Sequence, residues 1–157
     1  MDTGRFSSGP EGEGVTGDGG GEERVQSRGA EVVREAQRPL VVLDANALMM
    51  PFQFSINLDA ELQRVLPGCK AVVPSSVVEE LRALSASKKR PEARAALELA
   101  RRFRVVEAEG VGDEAVLSAA LRLGAVLLTN DASLRKRARS AGLRVMYLRE
   151  KSHLEMG

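Results

Sequence analysis

Tryptophan is missing from this chain of 157 residues, and cysteine, histidine and tyrosine each occur once. Cys69 has no second cysteine to pair with, which excludes a scaffold held by internal disulfides. With one cysteine and one histidine, His153, a single chain cannot assemble a Cys/His zinc site. Histidine-based acid–base chemistry and a Ser-His-Asp triad are disfavoured for the same reason. No apolar run approaches the ~20 residues of a membrane span. The first residues lack the basic-then-apolar order of a signal peptide, so the expectation is a cytoplasmic protein without a membrane partner. Enzymatic chemistry, if present, has to come from carboxylates, hydroxyls, amines or a bound metal.

An excess of charge is also absent: 23 Lys plus Arg stand against 22 Asp plus Glu, a formal net of +1. The near-zero total is a cancellation. Residues 1–37 carry 4 basic and 8 acidic side chains, whereas residues 38–157 carry 19 basic and 14 acidic. The first segment also holds 9 of the 15 glycines and almost no apolar periodicity. Such a segment buries too little surface to offset its ordering entropy, and a disordered acidic tail is expected over 1–37. Its Gly12, Gly14 and Gly17 spell the spacing of a dinucleotide-binding loop, but no strand precedes them, and that reading fails on context.

From residue 38 to 157 the pattern is that of one folded domain. Short, largely apolar runs recur at 40–43, 71–73, 125–128 and 144–148, with a weaker one at 103–108. Continuous rather than alternating runs suit strands buried on both faces. Amphipathic stretches lie near 57–66, 75–87, 91–102, 113–123 and 132–141. The alternation predicts an α/β domain with a parallel sheet. Gly68, Gly124 and Gly142 precede strands, where left-handed helix ends are expected.

Ligands of open α/β sheets bind beyond the carboxyl ends of the strands, and acids stand there. Asp44 ends the first run in PLVVLDAN, and Asp131 ends the fourth in AVLLTND. Either one is also a good helix N-cap. In VPSSVVEELRAL, Ser76 and Glu79 have the spacing of a capping box, which gives Glu79 a structural task. At about 100° per residue, Glu80 lies about 60° from the buried stripe marked by Val77, and Glu79 about 160° away. In GVGDEAVLSAAL, Asp113 lies about 60° from Val116 and Glu114 about 160°, although Asp113 also suits an N-cap. Asp44, Glu80, Asp113 and Asp131 form the candidate site. Four converging carboxylates repel one another, and a hard cation such as Mg²⁺ or Mn²⁺, which favours oxygen ligands, relieves that. A metal of this kind suits phosphodiester hydrolysis and needs no histidine.

LDAN, VPSSVVEEL, GDEAVLSAA and LLTND, in this order and spacing, resemble the motifs of PIN-domain ribonucleases across about 38–157. The stretches 49–66 and 147–157 are similar to archaeal VapC-like PIN proteins and to the eukaryotic small-subunit processome endonuclease. The resemblance implies a three-layer α/β/α sandwich with a five-stranded parallel sheet in the order 3-2-1-4-5. It places Asp44, Glu80, Asp113 and Asp131 on the family's acidic quartet. Asn46, Thr129 and Asn130 fall on neighbouring positions that support the site or position water. It also implies a homodimer as a common assembly, and an antitoxin or a ribosome-assembly factor as a partner. The 37 residues before the first strand depart from VapC-type toxins, which begin their fold within a few residues.

Three basic clusters interrupt the domain: Lys88-Lys89-Arg90; Arg101-Arg102 with Arg104; and Arg135-Lys136-Arg137 with Arg139. Any one of them reads as a solvated helix face. The last, on the helix that follows Asp131, also suits RNA phosphates steered to the site. Phe52 and Phe54 are the aromatics left for stacking on bases. The expected function is a Mg²⁺- or Mn²⁺-dependent endoribonuclease acting in rRNA processing. A VapC-type toxin ribonuclease and a non-catalytic RNA-binding scaffold are the alternatives.

Overall fold

A run of four residues, Leu40–Leu43, is enough to found the sheet because Val41, Val42 and Leu43 are all fully buried. Successive strand residues point to opposite faces, so unbroken burial means that both faces of the sheet are covered. The computed structural model describes residues 38–157; the expectations for residues 1–37, including the glycine motif, lie outside the described residues. Six strands are present, β1 (Leu40–Leu43), β2 (Lys70–Pro74), β3 (Arg104–Val106), β4 (Val126–Leu128), β5 (Val145–Arg149) and β6 (His153–Met156). They are ordered β3-β2-β1-β4-β5-β6. The helices are α1 (Ala45–Phe54), α2 (Leu58–Val65), α3 (Ser75–Ser85), α4 (Glu92–Ala100), α5 (Gly112–Leu123) and α6 (Ala132–Ser140). None of these helices is long and apolar enough to cross a membrane.

The first five strands are parallel and follow the expected order. The sixth corrects the expectation of five strands. It returns antiparallel on β5, with Leu148 opposite Leu154. The turn is made by Glu150 and Lys151, both in the left-handed region at φ 56° and 57°. Neither residue signals such a turn in the sequence, since the left-handed conformation is ordinarily taken by Gly or Asn. The outer side of β6 is blunted rather than open. Leu154 donates its N–H to Glu61 Oε1 at 2.9 Å, and its carbonyl accepts from Arg64 at 2.6 Å. The α2 pair thus occupies backbone groups that another strand would otherwise bond.

The sequence pattern also misses α1, whose Pro51 reads as a helix breaker. In the structure Pro51 lies in the second turn, and the helix ends soon after it, at Ser55 with φ 57°. Ala47, Leu48, Met49 and Met50 bury the face that holds α1 in place. Small side chains serve the same purpose on α5, where Ala115, Ala119 and Ala120 are fully buried. Close approach of backbone to backbone there brings α5 against β1, β2 and β4. The helix stops at Gly124, whose φ of 61° is strained for any residue with a Cβ.

The chain leaves β1 toward β2 on one side and reaches β4 on the other, so β1 and β4 flank the topological switch point. Leu43 and Leu128, the last residues of these strands, are register partners. Whatever follows them is delivered to one crevice.

Candidate active site

Asp44 and Thr129 are the residues that follow Leu43 and Leu128, and they are the only polar residues buried among the described residues. Burial of a carboxylate is costly unless something holds its charge. Asp44 is the N-cap of α1, with Oδ1 accepting from the Ala47 N–H at 2.8 Å. Desolvation nevertheless pushes its carboxyl up from the ordinary 3.8 to about 7. Bonds from the Thr129 side chain and the Ala47 N–H pull the other way, while the charges of Glu80 and Asp113 add to the rise. Electrostatics therefore tie three of the four predicted acids to one locus.

Asp131 is joined through Thr129. The Thr129 hydroxyl oxygen accepts from the Asp131 N–H at 3.1 Å, and the same side chain bonds the Asp44 carboxyl. Asp131 then caps α6, its Oδ1 accepting from Leu134 N–H at 3.0 Å. Both aspartates are thus helix caps as well as candidate ligands.

Glu80 and Asp113 arrive differently. The expected capping box is not formed: α3 starts after Pro74 without a side-chain cap, Glu79 pairs with Arg82 at 2.8 Å, and the Ser76 hydroxyl is buried without a partner. The reason lies in the start of the helix, one residue before Ser76, which places that serine inside the first turn. Asp113 is not an N-cap either, because α5 begins at Gly112 behind an uncapped Val111. Glu80 is an exposed residue, yet desolvation first and Asp113 second raise its carboxyl above the ordinary 4.5. Arg90 opposes that rise. An open cleft of about 560 Å³ runs between the two helix starts, lined by Ser76, Glu79, Glu80, Val111 and Asp113 among others. Ser76 and the exposed Val111 had no functional signal in the sequence, one being read as a cap and the other as a loop residue.

The remaining predicted residues are distributed more widely. Asn46 is exposed in the first turn of α1. Asn130 turns to the sheet, where its Oδ1 accepts from Leu148 N–H at 2.7 Å. Arg135 lies over the Tyr147 ring, 4.9 Å from its centre, and its Nε is buried without a partner. Arg137 pairs with Glu114 of α5, Arg139 lies near Tyr147 and Gly157, and Lys136 is exposed. Phe52 is 46% exposed, whereas Phe54 packs against the core.

All donors at the locus are oxygens, a set suited to a hard divalent cation rather than to zinc or copper. Among the described residues, no three Asp, Glu, His or Cys side chains stand close enough to clasp an ion together.

Comparison with known proteins gives this arrangement a family. The PIN like domain family matches residues 41–151, a span that contains all four acids. Ribonuclease VapC9 of Archaeoglobus fulgidus is 36% identical over 112 residues, covering 69% of this chain and 82% of the relative. Among solved structures, the PIN domain endonuclease Utp24 matches with a TM-score of 0.64 at 22% identity, over 74% of this chain and 90% of that one. A chain of the promoter-DNA-bound VapBC2 of Rickettsia felis gives 0.53 at 17% identity, over 69% and 98%. At such identities the two structures speak for the fold, and the VapC9 relative and the family match speak for descent. The chain belongs to the PIN-like domain family.

Proposed function

We propose that this protein is a Mg²⁺- or Mn²⁺-dependent endoribonuclease, with rRNA precursors as its substrate class. The observation that carries the reading is the burial of Asp44 beside Thr129 at the switch point, with the charges of Glu80 and Asp113 directed at it. A sheet end that concentrates negative charge in this way is destabilising unless a cation binds there. Asp44, Asp113 and Asp131 would hold the ion, directly or through water, with Glu80 as a further ligand or a water-orienting base. When bound, such an ion acidifies water and offsets charge on a phosphoryl oxygen.

The side chains of the protein supply the rest. Thr129 links the two capping aspartates, and Asn46, in the first turn of α1, would orient water there. Asn130 holds the end of β4 to β5. The α6 cations Arg135, Lys136, Arg137 and Arg139 add a positive field near Asp131 that attracts a polyanion. The relative named Ribonuclease VapC9 favours RNA over other phosphodiesters as the substrate, and it supports toxin-type ribonuclease activity as the second reading. A cytoplasmic protein, acting as a homodimer or with an antitoxin or ribosome-assembly partner, goes with either.

The test is cleavage of rRNA precursor fragments and of unrelated single-stranded RNA, with Mg²⁺ or Mn²⁺ and with EDTA, beside Asp44→Asn and Asp131→Asn. Metal-dependent cleavage lost in both variants is expected. Cleavage that survives EDTA or both substitutions would overturn the mechanism. Tight binding without cleavage of any RNA would assign the protein to the scaffold class. Cleavage confined to one site of the precursor separates processing from a toxin's action on other cellular RNAs.

A further inference from the structure

A second cavity, of about 400 Å³, lies at the far end of the helix that carries Glu80. Its walls are Ser85 at the end of α3, Ala86, Ser87, Lys88, Arg90 and Pro91 of the connection, and Arg94 in the first turn of α4. Three of the lining side chains are cations, Lys88, Arg90 and Arg94, and none is an acid. The acid nearest in the chain, Glu92, is paired with Arg90: its Oε2 lies 3.5 Å from Arg90 Nε and also accepts from Gln53 at 2.9 Å, so the net positive charge of the pocket rests on Lys88 and Arg94. Lys88 and Arg94 are both exposed.

Arg90 connects this pocket to the carboxylate cleft. It is half-buried, donates to Met49 Sδ at 3.4 Å, and its charge acts on Glu80. Along α3, Glu80 and Ser85 are separated by about 7.5 Å of helix rise. That is about two nucleotide steps for a stacked strand at ~3.4 Å of axial rise each, and about one for an extended strand. The cations of α6 compare poorly as phosphate ligands, since Arg135 is stacked on Tyr147 and Arg137 is paired with Glu114.

We propose that the pocket formed by Lys88, Arg90 and Arg94 binds a backbone phosphate of a single RNA strand, about one to two nucleotides from the phosphate held at the carboxylates. Lys88 and Arg94 are the phosphate contacts, and Arg90 is a positioning residue between pocket and cleft. The proposal rests on the nuclease reading for the second phosphate alone; occupation of the pocket by an RNA strand stands separately from cleavage.

The experiment uses the full chain and a fluorescent oligouridylate of about twelve nucleotides, within the usual range of single-strand site sizes. Affinity is measured across a salt series for wild type, for Lys88→Glu with Arg94→Glu, and for a control of equal charge change, Arg104→Glu with Arg144→Glu. The control residues are exposed at the amino ends of β3 and β5, the end of the sheet opposite the cleft. The pocket variant should bind about tenfold more weakly, and its dependence of log K on log salt should flatten by about 0.7, as for one lost single-strand phosphate contact. The control should change affinity by less than about threefold, in keeping with a long-range effect of net charge alone. Unchanged affinity in the pocket variant, or an equal loss in the control, overturns the proposal. Lys88→Gln with Arg94→Gln, a milder change at exposed positions, should give an intermediate loss and guards against misfolding.

Cleavage of the same oligomer and of a dinucleotide, which has a single phosphodiester, is measured alongside. The pocket variant should slow cleavage of the longer strand and leave the dinucleotide unaffected. RNA binding that depends on the pocket without any cleavage supports the pocket and fails the nuclease reading. Cleavage that proceeds equally in wild type and pocket variant fails the pocket and keeps the nuclease. A wild-type chain that neither binds nor cleaves RNA overturns both.

Discussion

Four helices begin around the candidate site, and they begin in two different ways. α1 and α6 are capped by Asp44 and Asp131, whose carboxylates each accept a backbone N–H of their own first turn. α3 and α5 start behind Pro74 and Val111 with no side-chain cap, and their acids, Glu80 and Asp113, sit inside the helix. The capped pair is held by these backbone bonds, and the proposed mechanism gives its carboxylates a second task in the chemistry. The uncapped pair has no such structural bond, and the described influences on Glu80 are desolvation, the repulsion of Asp113 and the attraction of Arg90. Under the proposed mechanism, a bound cation would offset the desolvation and repulsion that Glu80 meets in the folded chain.

Substitution at Asp44 breaks this contrast most severely. Asn caps a helix nearly as well as Asp, so Asp44→Asn keeps the start of α1 and removes only the charge. RNA cleavage should fall by at least about 100-fold, the range for loss of a group acting directly on the reacting water. Stability should move in the opposite direction. The folded carboxyl titrates near 7 against an ordinary 3.8, so between those values the folded chain holds a proton that the unfolded chain has lost. Its contribution to metal-free stability is therefore neutral at low pH, worsens as pH climbs between those two values, and is fully unfavourable once pH has passed the folded one. Urea melts of wild type and Asp44→Asn should coincide near pH 4. They should separate by about 4 kcal/mol in favour of the variant by about pH 8, at ~1.4 kcal/mol for each pH unit between the folded and unfolded titration points. Millimolar Mg²⁺ should close the gap by stabilising wild type alone. A variant that is the less stable of the two at high pH would show that the carboxylate is held mainly as a cap.

Glu80→Gln sharpens the same comparison from the uncapped side. Activity should drop by about 10- to 100-fold, less than at Asp44, because Glu80 is exposed and the most easily replaced by water. Thermal stability should stay within ~0.5 kcal/mol of wild type, as for a surface change that removes no structural bond. Loss of stability without loss of cleavage would reverse the roles assigned to the two pairs.

These differences track what was legible in the sequence. The strands β1 to β5 were readable because burial on both faces leaves unbroken apolar runs such as Leu40–Leu43 and Val126–Leu128. Asp44 and Asp131 were readable because each follows such a run directly or nearly so. β6 was hidden, since His153–Met156 carries one fully buried residue, Leu154, and its turn uses Glu150 and Lys151 where Gly or Asn is expected. α1 was hidden by Pro51. The helical periodicity separated Glu80 from Glu79 and Asp113 from Glu114, but it could not say what the outward acids meet. Glu114 meets Arg137 across the gap to α6, a tertiary contact with no local signal. The capping box failed because Ser76 lies inside the first turn of α3, and boundaries of that kind are set by the preceding strand rather than by the motif.

Thr129 is where the two capped helices are coupled, and its loss should have an intermediate effect. Thr129→Val keeps the volume, removes the bond to Asp44 and leaves the Asp131 N–H without its acceptor. A buried bond of this kind is worth about 1–2 kcal/mol. Equilibrium unfolding should show a loss of that size, together with a further rise in the pH at which Asp44 titrates, since one of the groups favouring its charged form is gone. No change in the pH dependence would mean that the Ala47 N–H alone holds the carboxylate.

The smallest expected effect comes from making an uncapped helix resemble a capped one. Val111 has an extended backbone, φ −133° and ψ 159°, directly before α5, and its side chain is 82% exposed. That is the geometry from which a serine hydroxyl reaches the first-turn N–H groups. Val111→Ser exchanges an exposed apolar side chain for a cap and adds no charge, so stability should rise by about 0.5–1 kcal/mol. Its effect on cleavage discriminates between two meanings of the missing cap. If the open N–H groups of α5 simply lack a partner, the variant cleaves RNA as wild type does and melts at a higher temperature. If those groups belong to the cleft beside Asp113 and meet a substrate oxygen there, the added hydroxyl competes with it. KM then rises a few-fold while kcat holds. A gain in stability accompanied by that rise in KM would mean that α5 is left uncapped because the cap position belongs to the substrate.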